Sequence, residues 1–256
     1  MHRIRYTAPM CLIVFNWQPQ QSQWLLLSAN RDEFLQRPAA PMHEWPDDAG
    51  LFAGKDLEQG GTWLGVTKDQ RWAALTNIRA PGAGPDNPSS RGALVVDYLR
   101  SGRSPKDWLQ ALDTSHYAPF NLLAGDRHHL WYMNNHPQPE ICEVPPGIHS
   151  LSNAHLNSPW PKARLAEAQM AQAPADEQQL TRLLSRRDIW PDDELPATGV
   201  PLAWERMLSA QFIRAPGYGT RCSTGIRTLN DDIYLAETTW SAEGTIDKEV
   251  SFQLHR

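Results

Sequence analysis

The hydrophobic residues of this chain fall into short apolar runs that occur in pairs around polar turns. Residues 11–17 (CLIVFNW) and 23–30 (QWLLLSAN) each have the length of a strand, and the polar turn QPQQS separates them. Further pairs of the same kind lie at 61–67 and 71–77, at 119–125 and 129–135, and at 220–228 and 232–240. Because consecutive strands joined by a short turn pair antiparallel, the pattern predicts antiparallel sheets built from hairpins.

Segments with helical periodicity lie between these pairs and indicate a mixed fold. Ser104 followed by Pro105 is typical of a helix start, because Ser caps the first N–H groups and Pro suits the first helical position. The predicted helices are 89–102, 104–112, 158–172 and 175–187. Residues 34–59 and 188–203 are predicted to be long loops. Together the elements predict an α+β fold in which helices cover the outer faces of two packed sheets.

The first hairpin places chemistry-bearing residues at one end of the predicted sheet. Antiparallel pairing around QPQQS makes paired residue numbers sum to about 41, so we expect Cys11 opposite residues 28–30. The segment Asn-Arg-Asp-Glu at 30–33 then emerges beside Cys11. Taken alone, this tetrapeptide is typical of a solvated turn.

Cys11 has two interpretations. A cysteine in a buried strand is usually a small core residue. Met10 directly precedes it, however, and removal of an initiator Met10 would leave Cys11 with a free α-amino group. Such an amine, with a pKa of ~7.7–8.0, can act as general base for the thiol of its own residue. Arg31 would lower the thiol pKa, and Asp32 could hold the amine or thiol by hydrogen bonding.

The residues before Met10 carry positive charge but lack the apolar segment of a signal peptide. We therefore interpret residues 1–10 as an upstream extension that is absent from the mature protein. No internal repeat, low-complexity tract or linker interrupts the rest, so residues 11–256 are predicted to form a single domain.

Composition and charge exclude several function classes. The net charge is -5, which provides no global basic field for nucleic acid. No apolar run approaches the ~18 residues that a transmembrane helix needs. Metal-type spacings and glycine-rich cofactor loops are missing from the sequence. The three cysteines, Cys11, Cys142 and Cys222, are too few for a disulfide framework and indicate a reducing compartment, so a cytoplasmic location is expected.

Eight short motifs occur in order between residue 10 and about residue 224. They are the Met10-Cys11 start before apolar residues, NRDE (30–33), GGTWLGV (60–66), TN (76–77), SRG (90–92), NLLAGD (121–126), LSNAHLNSPWPK (151–162) and YGTRCST (218–224). With these motifs the sequence resembles the NRDE family, also called the transport-and-Golgi-organization protein 2 family. The nine residues before Met10 depart from the family pattern, which supports the interpretation of a late start.

The family is in turn distantly similar to the cysteine N-terminal-nucleophile (Ntn) hydrolases, such as the choloylglycine and penicillin V acylases. This resemblance implies a four-layer αββα sandwich. It also implies that Cys11 is the nucleophile and that Arg31 and Asp32 are its neighbours.

The same resemblance implies further site residues. Asn77 and Asn153 are candidates for oxyanion stabilisation or positioning, although each could equally form a turn at a strand end. Asn157 is a rival to Asn153 for this role. Arg221 would be a second positioning arginine or would bind a substrate carboxylate.

Two functions follow as expectations. The first is hydrolysis of an amide or thioester bond in a small acyl substrate, without a cofactor. The alternative is a non-catalytic protein that binds and traffics haem, lipid or acyl-CoA on an Ntn-like scaffold, since a fold does not determine a function. No C-x-x-C-H haem attachment motif is present. The sequence makes no prediction of oligomeric state.

Overall fold

The computed structural model describes residues 10–255. The predicted upstream extension lies outside the described residues except for Met10, where the first strand begins. The strands are β1 (Met10–Trp17), β2 (Leu25–Phe34), β3 (Ala39–Glu44), β4 (Leu51–Asp56), β5 (Leu64–Thr67), β6 (Trp72–Asn77), β7 (Phe120–Gly125), β8 (Leu130–Asn134), β9 (Glu140–Glu143), β10 (Gly147–Leu151), β11 (Arg214–Ala215), β12 (Tyr218–Leu229), β13 (Asp232–Trp240) and β14 (Ile246–Leu254). The helices are α1 (Arg91–Arg100), α2 (Pro105–Gln110), α3 (Pro161–Met170), α4 (Glu177–Leu180) and α5 (Leu202–Leu208).

The strands form two antiparallel sheets. Sheet A has the order β10-β1-β2-β12-β13-β14, with the short β11 paired to β12. Sheet B follows the chain order from β3 to β9. The four hairpins predicted from the apolar pairs are all present, as β1–β2, β5–β6, β7–β8 and β12–β13. The antiparallel α+β class predicted from the sequence is therefore confirmed.

Three apolar layers hold the sheets and helices together. Alternate residues of β1 and β2, such as Phe15 and Leu27, pack against Trp72 and Leu123 of sheet B. The opposite face of sheet B packs against α1 and α2. The opposite face of sheet A, with Leu12, packs against α3 and α4. The order helix, sheet, sheet, helix is the four-layer αββα arrangement that the resemblance implied.

Two predicted loops contain regular structure. Strands β3 and β4 lie within 34–59, and a short 3₁₀ turn (Asp192–Glu194) and the first residues of α5 lie within 188–203. Strand β14 was not predicted either. β3 and β14 are edge strands with mostly part-exposed residues, so they lack the apolar alternation that reveals a half-buried strand.

The helices are short. The longest in the described part of the chain, α1 and α3, have 10 residues each. Among the described residues, no helix combines the length and the apolar character that crossing a bilayer requires.

Candidate active site

The register of the β1–β2 hairpin decides which side chains face Cys11. Cys11 pairs with Arg31 and Met10 with Asp32, so paired numbers sum to 42 rather than 41. The expectation that Cys11 lies opposite residues 28–30 is therefore wrong by one residue. Because side chains alternate along a strand, this slip reverses which residues of β2 share the face of Cys11.

The tetrapeptide Asn30-Arg31-Asp32-Glu33 consequently divides between two layers. Asn30 faces the helices, where its amide donates to the carbonyls of Leu184 and Gln211, each at 2.9 Å. Arg31 and Glu33 lie on the face of Cys11 and line the same cavity as its side chain. Arg31 and Asp32 were expected together beside the thiol; instead, only Arg31 shares its face.

A cavity of about 740 Å³ opens beside Cys11. Its walls come from β1, β2, the loop before β5, the end of β6 and the start of α1. Three of the predicted site residues, Cys11, Arg31 and Asn77, line it. Asp32, Asn153 and Arg221 are not among the described residues that line the cavity.

The Cys11 thiol is buried, with 8% of the residue exposed. Burial and, to a smaller extent, the nearby Asp32 charge raise the pKa of this thiol to about 12, although the Arg31 charge and a hydrogen bond from the Asp32 backbone oppose the increase. At neutral pH the thiol is therefore protonated, and a nucleophilic attack requires a base that removes its proton.

Arg31 is held by an aromatic ring rather than by a close ion pair. Its guanidinium lies 4.4 Å from the ring centroid of Trp63, and Trp63 in turn packs over Gly54, where a Cβ atom would come within 2.3 Å of the ring. The Nη2 atom is 3.6 Å from carboxylate oxygens of both Glu33 and Asp56. The buried Nη1 atom has no hydrogen-bond partner among the described residues.

Asp32 occupies the opposite face of sheet A, beneath the helices. It is fully buried, and its Oδ1 accepts a hydrogen bond from the Thr220 hydroxyl at 2.6 Å. Its Oδ2 has no partner in the described part of the chain. Burial raises the pKa of Asp32, and the positive charge of Lys162 is the largest influence that lowers it. Asp32 thus lies behind the nucleophile, opposite Met10.

Lys162 is a buried charge that sequence reasoning did not single out as a site residue. It lies near the start of α3, is 2% exposed, and donates from Nζ to the carbonyl of Leu208 at 2.9 Å. Burial lowers the pKa of Lys162, while the charges of Asp32 and Cys11 raise it. Its only signal in the sequence was membership of the SPWPK motif.

Asn153 positions other groups. Its side-chain amide donates to the backbone carbonyl of Asn77 at 2.8 Å. Its neighbour Ser152 donates to the carbonyl of Cys11 at 3.0 Å. Ser152 and Asn153 thus connect β1, which carries Cys11, to the end of β6, which carries Asn77.

The rival Asn157 points away from this junction. Its side chain accepts from the backbone N–H of Ser150 at 3.1 Å and contacts the His149 ring at 3.0 Å. Its φ of 58° is the left-handed conformation that Asn tolerates in turns. Of the two asparagines, only Asn153 hydrogen-bonds to a residue of the cavity wall, Asn77.

Arg221 and Cys222 lie next to an irregularity in β12. The β2–β12 register shifts between Thr220 and Cys222, so Arg221 is the extra residue of a bulge. Its guanidinium donates to the carbonyls of Phe34 and Arg37, two cavity-lining residues, at 3.0 and 2.9 Å. Cys222 pairs with Arg31, so it shares the inter-sheet face with Cys11.

The start of α1 is a further part of the cavity that sequence reasoning did not identify. Ser89, Ser90, Arg91 and Gly92 line it. In the sequence, SRG is recognisable only as a family motif. No local pattern shows that a helix start 60 residues after Arg31 lines the same cavity.

The chain is similar to known proteins in sequence and in fold. The family model described as transport and Golgi organisation 2 matches residues 10–241. The transport and Golgi organization protein 2 homolog of Bos taurus is 33% identical over 245 residues, which cover 85% of this chain and 88% of the bovine protein. The Homo sapiens homolog is 31% identical over 94% of this chain and 95% of the human protein.

Two solved structures share the fold. The Caenorhabditis elegans N-acylethanolamine-hydrolyzing acid amidase ortholog has a TM-score of 0.51 at 12% identity, covering 84% of this chain and 92% of that chain. A mutant of the conjugated bile acid hydrolase from Clostridium perfringens has a TM-score of 0.50 at 7% identity, covering 95% of this chain and 92% of that chain. Both are Ntn hydrolases by fold, so the scaffold is the one that the sequence motifs implied. With its sequence matched from Met10 to Ser241, the chain belongs to the transport and Golgi organisation 2 family.

Proposed function

We propose that this protein is an N-terminal cysteine hydrolase that cleaves an amide or thioester bond of a small acyl substrate. The observation that carries the proposal is the placement of the Cys11 side chain in a cavity of about 740 Å³, on the same face as Arg31 and beside Asn77. A cavity of this size suits a small molecule.

The α-amino group of Cys11 is the base that the buried thiol needs. With the thiol pKa raised to about 12, proton transfer must accompany attack. An α-amine with a pKa of ~7.7–8.0 is partly unprotonated near neutral pH, and this fraction can accept the proton. Asp32 lies opposite Met10 in the ladder, with its Oδ2 unpartnered among the described residues, so it can accept a hydrogen bond from the amine once residues 1–10 are removed.

The reaction proceeds in two halves. Cys11 Sγ attacks the carbonyl carbon, the thiol proton passes to the amine, and a C–S bond forms. The tetrahedral intermediate collapses with cleavage of the C–N or C–S bond of the substrate, and the amine returns the proton to the leaving group. Water then attacks the acyl-cysteine, releases the acid and restores the thiol.

Asn77 is our candidate for stabilising the oxyanion. It lines the cavity at the end of β6, and its backbone is held by Asn153. Loss of one such donor typically costs about 10²–10³-fold in rate. Because the nucleophile is a thiol, we place the activity in a reducing compartment such as the cytoplasm.

The decisive experiment compares the chain with residues 1–10 attached and the chain that begins at Cys11. Both are incubated with a fatty-acyl thioester, and the acyl adduct is located by peptide mass spectrometry. We expect acylation of Cys11 and hydrolysis only in the shortened form. Cys222→Ser is the matched control, since Cys222 is also a buried thiol on the same face. Equal hydrolysis by the Cys11→Ser variant would overturn the proposal.

Ligand binding without chemistry is the alternative. Haem binding requires an axial ligand, and the described cavity lining contains Cys11 but no His, Met or Tyr. Among the described residues, no group of three or more His, Cys, Asp or Glu is arranged to hold a metal ion. A lipid or acyl ligand needs no axial ligand, whereas haem would depend on Cys11 in the described lining. Titration with haem separates the two, because an axial thiolate would shift the Soret band.

A further inference from the structure

One end of the cavity beside Cys11 is formed by the start of α1. Residues Ser89 to Gly92 line it, and Ser90 is the N-cap residue. In the described structure the Ser90 side chain makes no capping hydrogen bond. The first N–H groups of an α-helix have no acceptor within the helix, and the helix dipole places partial positive charge there. This end of the cavity therefore presents uncapped donors.

The approach of the GGTW loop to this helix end is unusually close. A Cβ atom on Gly61 would lie 2.4 Å from the carbonyl carbon of Gly92, and the N–H of Thr62 donates to the Gly92 carbonyl at 3.2 Å. The loop thus fixes the helix start against the wall that also carries Trp63 and the Arg31 guanidinium stacked on it.

Arg91, the first residue of α1, adds a full positive charge at the same end. Its Nη1 donates to the carbonyl of Pro119 at 3.0 Å, which holds the side chain in the cavity wall. Burial lowers the pKa of Arg91 to about 10, still well above neutral pH, so the guanidinium stays charged. The largest negative charge that acts on it is that of Glu33, and both residues line the cavity together with Cys11.

Arg31 provides an independent observation that points to an anionic ligand. Its side chain is only 5% exposed, it lines the cavity, and its Nη1 has no hydrogen-bond partner among the described residues. A buried guanidinium donor without an acceptor is costly, because the charge has lost its water. An anionic ligand group in the cavity would satisfy it.

The carboxylates of the cavity lie between Arg31 and Arg37, and those of Glu33 and Asp56 are 3.6 Å from Arg31 Nη2. They gather around Arg37, whose Nε lies 2.7 Å from Asp56 and 3.7 Å from Glu33, and whose Nη1 lies 3.2 Å from Glu58. Burial raises the pKa of Glu33. None of these carboxylates is a hydrogen-bond partner of Arg31 Nη1, which has no acceptor among the described residues.

We propose that the end of the cavity formed by Ser89–Gly92 and Arg31 binds an anionic group, a carboxylate or a phosphate, on the substrate of Cys11. The proposal rests on the proposed function only in taking the bound molecule to be an acyl substrate. Arg91 and the α1 N–H groups bind the anion, and the scissile carbonyl lies at Cys11. Charge-assisted hydrogen bonds from guanidinium and helix N–H groups suit both anions.

Three ligands with one acyl chain test the proposal. N-octanoylglycine carries a carboxylate, N-octanoylethanolamine is neutral, and its O-phosphorylated form carries a phosphate. Each is titrated calorimetrically into the Cys11→Ala variant, which prevents turnover, both as the full chain and as the form beginning at residue 11. We expect at least one anionic ligand to bind about tenfold more tightly than the neutral one.

Arg91→Met is expected to abolish this preference by weakening the binding of the anionic ligand. Arg164→Met, which removes an exposed arginine from α3, is the matched control and should preserve the preference. Preference for the glycine conjugate alone identifies a carboxylate site, and preference for the phosphorylated ligand alone identifies a phosphate site. Equal affinity for all three ligands in both forms, or a preference that survives Arg91→Met, overturns the proposal.

This test does not depend on catalysis. Tight anion binding by a protein that hydrolyses nothing would leave the anion site standing and overturn only the proposed hydrolase. Hydrolysis without a preference for the anionic ligands would support the proposed hydrolase and overturn the anion site.

Discussion

The side-chain amide of Asn153 donates a hydrogen bond to the backbone carbonyl of Asn77 over 2.8 Å. This bond joins the segment after β10 in sheet A to the end of β6 in sheet B. The neighbouring Ser152 hydroxyl donates to the carbonyl of Cys11 at 3.0 Å. The relative position of the thiol and Asn77 is therefore set by one buried dipeptide that touches both sheets.

Replacement of Asn153 by Ala should impair the site through Asn77. The change leaves the buried carbonyl of Asn77 without this donor and is expected to destabilise the protein by about 1–3 kcal/mol. Hydrolysis by the form beginning at Cys11 should fall mainly in kcat, since Asn153 does not line the cavity. Urea unfolding and steady-state kinetics measure the two effects.

Asn135→Ala is the matched control for that substitution. Asn135 accepts from the N–H of Phe120 at 2.8 Å and donates to the carbonyl of Tyr117 at 3.3 Å, and none of these three residues lines the cavity. It should lower stability to a similar extent without changing kcat at a temperature where the variant is folded. An equal loss of kcat in both variants would show that Asn153 acts only through stability.

The pH dependence of Cys11 alkylation reports on the pKa of its thiol. In the full chain the thiol pKa is raised to about 12 by burial, so the rate with iodoacetamide should rise about tenfold per pH unit from pH 7 to 10. If the alkylation rate instead levelled off near pH ~8.5, the pKa of a free thiol, this would contradict the burial of the thiol. Cys142, which is exposed, provides the comparison in the same digest.

The raised pKa of the Cys11 thiol also makes the stability of the protein depend on pH in the alkaline range. Folding favours the protonated thiol, so this contribution is complete below the ordinary thiol pKa of about 9 and is lost as the pH rises towards about 12. Cys11→Ala should therefore reduce the loss of stability across this alkaline range. The measurement is the denaturant midpoint of both proteins at several pH values.

The β1–β2 hairpin shows what sequence patterns can and cannot predict here. The two apolar runs and the polar turn were enough to predict the hairpin and the proximity of Cys11 to the tetrapeptide at 30–33. They were not enough to predict the register, because the ladder continues through Gln18 N–H to Trp24 O and leaves a five-residue turn. Because the observed register differs from the predicted one by one residue, Asp32 lies on the helix face and Glu33 lines the cavity.

Site residues carried by helices were harder to predict. Lys162 and Arg91 approach Cys11 only because α3 packs on β1 and α1 packs beside β5 and β6. Nothing local to either residue encodes these long-range contacts. Apolar periodicity predicted the helices α1 to α4 and that helices cover the sheets, but not α5 and not which helix end faces the cavity.

Asp32 and Lys162 should behave as an energetically coupled pair. Each charge favours the ionised form of the other buried group, so Asp32→Asn and Lys162→Met should each destabilise the protein by about 1–3 kcal/mol. The double variant should cost less than the sum of the two, by roughly 0.5–3 kcal/mol, since both charges are then absent. Chemical denaturation of the four proteins completes the cycle.

The exposed pair Asp192 and Arg206 provides the matched control cycle. Their carboxylate and guanidinium are about half exposed, so solvent screens them and the coupling should stay below about 1 kcal/mol. Strict additivity at Asp32 and Lys162 would show that the two buried groups do not interact across the helix–sheet interface.

Gly61→Ala should displace the start of α1 from the cavity. The new Cβ atom would lie 2.4 Å from the carbonyl carbon of Gly92 and 2.8 Å from the backbone nitrogen of Ala93, and backbone atoms cannot move aside as a flexible side chain can. We expect a loss of stability of about 1–3 kcal/mol from this overpacking. The preference for N-octanoylglycine over N-octanoylethanolamine should also weaken, because the α1 N–H groups move away from Arg31.

The adjacent Gly60 separates the effect of crowding from that of losing a loop glycine. It has a φ of 76° and nothing within 4 Å of a Cβ atom, and Asn adopts this conformation more readily than other side chains do. Gly60→Asn should therefore cost under about 1 kcal/mol and keep the anion preference. If Gly61→Ala retained the full preference as well, the close contact with Gly92 would not be what holds the helix start at the anion-binding end, and Arg91 would have to act without it.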